Sequence, residues 1–411
     1  MTNRDLALTA GALILYATLS RRLRGTPITS AIVFVTLGFV VGTQGLDLFQ
    51  AQIGSTAVRH LAEVTLTLVL FSDASAINSR AVVREAALPA RLLGIGLPLT
   101  IVLGCVIAVV AFPQLGFFPA MALAVLLAPT DAALGQTVVS DERLPSPLRQ
   151  GLNVESGLND GICVPLLFAT IAFTELEGAA HFNGRIIIDL VKEVAIASGI
   201  GVGTAAIVVA VYSASDRRGW IDDAWASIVP LAAAALAYGL TATLGGSGFI
   251  AAFVAGLSYG RLLGDRTPDT MHFLEDAGQG FSAVTFFVFG AVVVGGAVDH
   301  LDWATMGYAV ASLTVVRMLP VAVAMIGRGA ALPTMAFAGW FGPRGLASIV
   351  FMLTIVDESG MPGTQLIVRV TTVTVLLSVF AHGITAPWLT NRYVAWYSRS
   401  NGLDLEARRA V

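Results

Sequence analysis

From about residue 5 to residue 390 the chain is a succession of apolar runs, many of them near 20 residues long, parted by short polar breaks. A run of ~20 apolar residues matches the hydrocarbon thickness of a bilayer. In that medium only a helix satisfies every backbone N–H and C=O within one segment. Composition agrees, with 56% hydrophobic and 12% charged residues, where a soluble domain carries about 25% charged residues. The expected fold is an all-α polytopic membrane protein. Runs bounded by charge, Gly or Pro place about 13 transmembrane helices, over residues 5–20, 28–43, 56–76, 90–112, 118–139, 148–174, 185–213, 224–243, 247–263, 271–295, 303–327, 332–356 and 364–390.

Loop charges give these helices an orientation, because cytoplasmic loops collect Arg and Lys. One set of loops carries Arg21, Arg22 and Arg24, then Arg80, Arg84 and Arg91, Arg143 and Arg149, Arg217 and Arg218, Arg261 and Arg266, and Arg328. The segment after Arg392 adds Arg399, Arg408 and Arg409. The alternate loops carry only Arg4, Arg59, Arg185 and Lys192. The N-terminus is therefore expected outside and the C-terminus in the cytoplasm, with 392–411 a short cytoplasmic tail. The first run, Leu6 to Leu19, is followed by arginines rather than a small-residue cleavage site, which favours a retained helix over a signal peptide. A net charge of −3 with scattered basic residues excludes a nucleic-acid footprint. Cys105 and Cys163 lack metal-ligand spacing and read as packing residues.

Helix five is interrupted by Ala128-Pro129-Thr130-Asp131 and helix twelve by Gly342-Pro343-Arg344-Gly345. On the charge-based orientation these two helices run in opposite directions. Matching breaks in antiparallel helices, one in each half of a chain, mark inverted-repeat transporters with a site at the crossing.

Ionisable groups at membrane depth cost about 2.5–3.5 kcal/mol each even on a mild scale, so each needs a partner or a task. Asp131, Glu155, Asp160 and Arg344 lie at that depth, and Asp73 sits toward the cytoplasmic end of helix three. In Asn153-Val154-Glu155-Ser156-Gly157-Leu158-Asn159-Asp160-Gly161, Ser156 and Asp160 share one face, and Glu155 and Asn159 an adjacent stripe. The Asp160 carboxylate, the Ser156 hydroxyl, carbonyls near Thr130 and a second carboxylate from Asp131 form an oxygen set suited to Na⁺. A carboxylate removed from water also gains proton affinity, so H⁺ and a cation can compete for one group. Arg344 cannot give up its proton and serves as a fixed charge. Glu155 is its expected partner, joining helices six and twelve, with Asp131 suited to converging helix N-termini and Arg344 to C-termini.

Plainer roles compete with these. Asp131 and Asp160 could be consumed in ion pairs with Arg317 and Arg344, although four acids against two deep bases leave carboxylates over. Asp73 is either a further ligand or a solvated helix-end residue. Arg317 reads as structural, paired with an acid or snorkelling, Arg369 as anchored at its helix end, and His382 as a packed polar group. Gly245-Gly246-Ser247-Gly248 matches the G-x-S-G of intramembrane serine proteases, but falls at a helix end with no acid–base partner placed. A sodium-coupled symporter of an organic anion would share the broken helices but needs a free deep base. A channel would need a filter or a charged pore ring.

Taken together, Ala128 to Asp131, Glu155 to Gly161, Gly248-Phe249-Ile250-Ala251-Ala252-Phe253-Val254-Ala255-Gly256-Leu257, Gly342 to Gly345, and Ser378 to Gly383 resemble the monovalent cation/proton antiporter-1 family, the sodium/proton exchangers, in its bacterial and archaeal NhaP-type members. The resemblance covers nearly the whole chain. It implies a homodimer in the inner (plasma) membrane that exchanges Na⁺, Li⁺ or K⁺ for H⁺ with no cofactor, serving pH homeostasis. It implies a dimerisation part near 1–80 and 185–296 and a mobile core near 88–174 and 303–390 that moves as an elevator. Asp160 is then the principal carrier, with Asp131, Thr130 and Ser156 as further ligands and Glu155 paired with Arg344. Asp73 stands where relatives carry an acid on helix three, often the longer Glu, which leaves direct coordination open. Asn159-Asp160 is similar to the electroneutral class. The long regulatory tail of animal exchangers has no counterpart in the sequence.

Overall fold

The computed structural model describes residues 2–23, 25–77, 87–131, 134–177, 185–264, 267–327, 329–357 and 361–400. Arg24, Arg80, Arg84, Arg266, Arg328, Arg408 and Arg409 of the charge reading, and 401–411 of the expected tail, lie outside the described residues. In chain order the helices are α1 (Asn3–Leu23), α2 (Ser30–Val41), α3 (Thr56–Ala76), α4 (Ala87–Ala111), the half-helices α5a (Phe117–Leu126) and α5b (Gln136–Val139), α6 (Ser146–Glu177) and α7 (Arg185–Asp216). There follow α8 (Asp223–Thr243), α9 (Gly248–Leu263), α10 (Thr267–Phe289), α11 (Trp303–Met325), the half-helices α12a (Leu332–Trp340) and α12b (Leu346–Asp357), and α13 (Thr364–Arg399). Among them, α1, α4, α6, α7, α8, α10, α11 and α13 supply the 8 described stretches long and apolar enough to cross a membrane.

Every described element is helical, as backbone hydrogen-bonding in lipid demands. α10 continues through a π turn, Gly290–Val294, to Asp299, and α4 carries a similar turn at Leu92–Gly96. α11, expected to be continuous, is interrupted at Thr314, whose ψ is −90° and whose hydroxyl donates to Val310 O at 2.7 Å. Such back-bonding by Thr competes with the helix ladder and bends it.

α3 lies against α9 and α10, with α7 and α8 on α9 and α2 on α10. Gly256 and Gly260 of α9 let the backbones touch: a Cβ at either would collide with the carbonyl oxygen of Phe71 or Ser75 on α3, the use made of G-x-x-x-G pairs between membrane helices. Elsewhere α5a packs on α4 and α6, and α11 and α12b pack on α13. A smaller apolar cluster of Val138, Leu152, Phe337, Phe341 and Tyr393 joins α5b, the start of α6, α12a and the end of α13.

Candidate ion site at the crossed helix breaks

Both breaks are held open by their own residues. Pro129 and Pro343 have no N–H to continue a helix. Between α5a and α5b the backbone is non-helical at Pro129, Thr130 and Asp131, and between α12a and α12b at Phe341–Gly345. The two meet directly, as Asp131 N–H donates to Pro343 O at 2.8 Å. The Asp131 carboxylate binds both sides of the crossing at once, Oδ2 accepting Leu346 N–H at the start of α12b at 2.8 Å and Oδ1 accepting Leu134 N–H, ahead of α5b, at 3.2 Å. Unpaired N–H groups at a helix start carry partial positive charge, and a carboxylate neutralises it. Gly345 leaves room for this contact, since a Cβ there would collide with Asp131 Oδ2.

α6 approaches the same crossing. Ser156 Oγ–H donates to Thr130 O at 2.5 Å, and Asn159 Nδ2–H to Thr130 Oγ1 at 2.8 Å. Thr130, Ser156, Asn159 and Asp160 are all buried, and Asp160 Oδ1 has no hydrogen-bond partner among the described residues; nor has Asn159 Oδ1. Asp73 of α3 is half-buried beside Gly157, where a Cβ would stand 3.1 Å from Asp73 Cβ. A recess lined by Thr130, Asp131, Gly135, Val138, Leu152, Ser156, Phe341 and Pro343 reaches the crossing from the side of α5b and the start of α6. Carboxylate, hydroxyl, amide and carbonyl oxygens thus converge where α5, α6 and α12 meet. This donor set suits a small hard cation, which takes several oxygen ligands.

The expected Glu155–Arg344 pair is corrected. Glu155 is clamped by Arg317 of α11, with Nη1 2.5 Å from Oε1 and Nη2 2.6 Å from Oε2, the two-pronged fit of guanidinium to carboxylate. Arg317 passes the α12 break at Gly342, where a Cβ would collide with its Nε. Arg344 is engaged elsewhere, Nη1 donating to Ala128 O at 2.6 Å and Pro129 O at 3.0 Å. These carbonyls follow the end of α5a and accept no helical amide among the described residues, and the guanidinium takes that place. Both arginines are at most 2% exposed. Sequence reasoning undervalued Arg317. Charge parity was the available signal: two deep bases and one Glu on the structural stripe of α6 made Arg317 an equal contender for the pairing. Ser378 of α13, which accepts Arg344 N–H at 2.6 Å, opens the Ser378–Gly383 string of the family resemblance, but nothing in the sequence tied it to Arg344.

Two interrupted helices that cross beside a helix carrying buried carboxylates are the arrangement found in secondary-transporter folds. The chain belongs to the sodium/hydrogen exchanger family, whose description "Sodium/hydrogen exchanger, transmembrane" matches residues 9–392. It is a multi-pass membrane protein. The K(+)/H(+) antiporter NhaP of Alkalimonas amylolytica and the K(+)/H(+) antiporter NhaP2 of Shewanella oneidensis are each 25% identical to it over 389 residues, covering 92% of this chain and 64% of theirs. The chain therefore spans less than two thirds of the length of these curated relatives. Among solved structures, the sodium proton antiporter MjNhaP1 from Methanocaldococcus jannaschii superposes with a TM-score of 0.78 at 20% identity, over 95% of this chain and 98% of that one, which establishes a shared fold.

Proposed function

We propose that this protein is a secondary antiporter exchanging a monovalent cation for H⁺, with Asp160 as the group for which the two ions compete. One observation carries the reading: the buried Asp160 carboxylate has an oxygen without a hydrogen-bond partner among the described residues, one helical turn along α6 from Ser156, whose hydroxyl donates to Thr130 O. A buried carboxylate needs neutralising, and either a proton or a cation can do so. With one bound, the other is excluded. Asp131, whose carboxylate caps α12b, adds negative charge beside the site and a second oxygen source. The Glu155–Arg317 pair and Arg344 hold fixed charges around it.

Alternating access follows if the group α4–α6 and α11–α13 shifts against the rest. The chain would cross the membrane thirteen times with its N-terminus outside, its C-terminus in the cytoplasm and its halves related by an inverted repeat. On this orientation the recess faces the cytoplasm. The protein would work as a homodimer in the plasma membrane.

The names of the relatives divide the choice of cation, K⁺ for the two curated antiporters and sodium for the solved structure. The deciding experiment loads the purified protein into acid-inside proteoliposomes with an acridine dye and adds Na⁺, Li⁺ and K⁺ in turn. Dequenching by at least one, absent with choline, is the expected result. Dequenching by none would overturn the antiport reading.

A further inference from the structure

α13 braces the break in α12 with one face. Ser378, His382 and Thr385 stand four and then three residues apart, a single stripe on a helix. Ser378 Oγ accepts Arg344 N–H at 2.6 Å, His382 Nε2 lies 2.9 Å from Trp340 O, and Thr385 Oγ1 accepts Trp340 Nε1–H at 3.0 Å. Trp340 ends α12a and Arg344 stands just before α12b, so the stripe grips both lips of the break. His382 is 1% exposed and its ring lies 5.0 Å from that of Trp340. Its Nδ1 is keyed into its own helix, 2.9 Å from Ser378 O and 3.2 Å from Ser378 Oγ. Both ring nitrogens have a carbonyl oxygen in reach, but Nδ1 also has the Ser378 hydroxyl, which can donate to it, whereas Trp340 O can only accept. The tautomer with hydrogen on Nε2 is the one in which Nδ1 has a donor and Trp340 O is served.

What this grip fixes is the ion site. The five residues between α12a and α12b contain Pro343, whose carbonyl accepts Asp131 N–H, and they lead into Leu346, whose N–H meets Asp131 Oδ2. A five-residue segment pinned at both ends has little freedom to shift, and with the α13 contacts made the position of Asp131 follows. We infer that His382 is a positioning residue for the transported cation: it acts through Trp340 O and the α12 break on Asp131, without touching the ion. The inference rests on the antiport reading only for its transport readout.

The test measures, in proteoliposomes, the half-saturating concentration and maximal rate for whichever of Na⁺, Li⁺ and K⁺ the protein exchanges, in His382→Leu, His382→Gln and His382→Asn. His382→Leu removes the donor and is expected to raise the half-saturating concentration roughly tenfold, as loss of an outer-shell partner does at metal sites. The maximal rate should change by less than about threefold, because ground-state binding is what weakens. Gln, whose amide nitrogen reaches the place of Nε2, should restore the wild-type value, whereas Asn, which reaches only the place of Nδ1, should not. If His382→Leu does not fold, the contrast between Gln and Asn still decides. A second readout needs no transport: deuterium uptake across residues 341–346 should quicken in His382→Leu and His382→Asn but not in His382→Gln. An unchanged half-saturating concentration in His382→Leu, equal rescue by Gln and Asn, or unchanged deuterium uptake would each overturn the inference. If the wild type exchanges none of the three cations, the antiport reading falls by itself, and deuterium uptake still judges the brace.

Discussion

Asp160, Ser156 and Asn159 share two turns of α6, yet their bonds differ. Asn159 and Ser156 both donate to Thr130, while Asp160 Oδ1 bonds to nothing among the described residues. Replacing Asp160 by Asn keeps the shape and removes the titrating charge. Exchange should then fall to the background of empty liposomes while the variant still inserts and elutes as the wild type does on size exclusion. Exchange at the wild-type rate would remove Asp160 from the mechanism. The Glu155–Arg317 pair makes a different kind of claim, about stability. Breaking a buried pair strands one charge, at a cost of about 3–5 kcal/mol, so Glu155→Leu and Arg317→Leu should each lower the melting temperature strongly. The double variant should recover much of that loss, with a coupling of about 0.5–3 kcal/mol, and Glu155→Leu with Arg344→Leu should show far less. Strictly additive melting shifts for Glu155 and Arg317 would mean that the two do not meet. The acids were legible in the sequence because a carboxylate inside an apolar run is conspicuous. The partner of Glu155 was not, because pairing depends on how α11 and α12 are rotated about their axes, and neither helix encodes its rotation locally.

The breaks themselves are written in plain chemistry. Ala128-Pro129-Thr130 and Gly342-Pro343 combine an absent N–H with residues that tolerate extended backbone, so the sequence marks them to within a few residues. The interruption of α11 at Thr314 was invisible by the same logic, since a lone Thr in Ala311-Ser312-Leu313-Thr314-Val315 is unremarkable until its hydroxyl turns back on Val310 O. Gly345 read as one more helix breaker, yet what it supplies is the space into which Asp131 Oδ2 fits. Gly345→Ala places a methyl group there, so either Asp131 leaves Leu346 N–H or α12b shifts. Exchange should drop at least about tenfold, because an orphaned helix start and a displaced carboxylate act together. Gly278→Ala, where an added Cβ would meet only Val69 Cγ2 at 3.8 Å, should leave exchange unchanged. Equal activity in the two variants would show that the close approach at Gly345 does not matter.

Across the whole molecule, apolar runs and loop charges foretold helices at thirteen stretches, and each holds helix among the described residues. What the pattern could not foretell is how two half-helices and α6 come together, since contacts of that range depend on topology. The charge inventory at that junction leads to the last expectation. Glu155 and Arg317 cancel, and both Asp131 carboxylate oxygens accept backbone N–H groups, while Asp160 is the buried carboxylate with an oxygen unpartnered among the described residues. If it carries either one cation or one H⁺, both half-cycles move the same charge, and the membrane potential does no net work on the exchange. Protons compete with the cation, so raising the pH should lower the half-saturating cation concentration until Asp160 is fully ionised. Beyond that, the return step lacks protons and the rate declines. A bell-shaped pH profile is the expected result, with limbs that belong to the coupled site rather than to one residue. The measurement is cation-driven proton movement in proteoliposomes, with the potential clamped at several values by an ionophore for an ion that the protein does not exchange. A rate and a final pH gradient indifferent to the clamp support one competing carboxylate. A pH gradient that tracks the potential would require a second titrating group, and Asp73, packed against Gly157 one helical turn from Asp160, is where that search would begin.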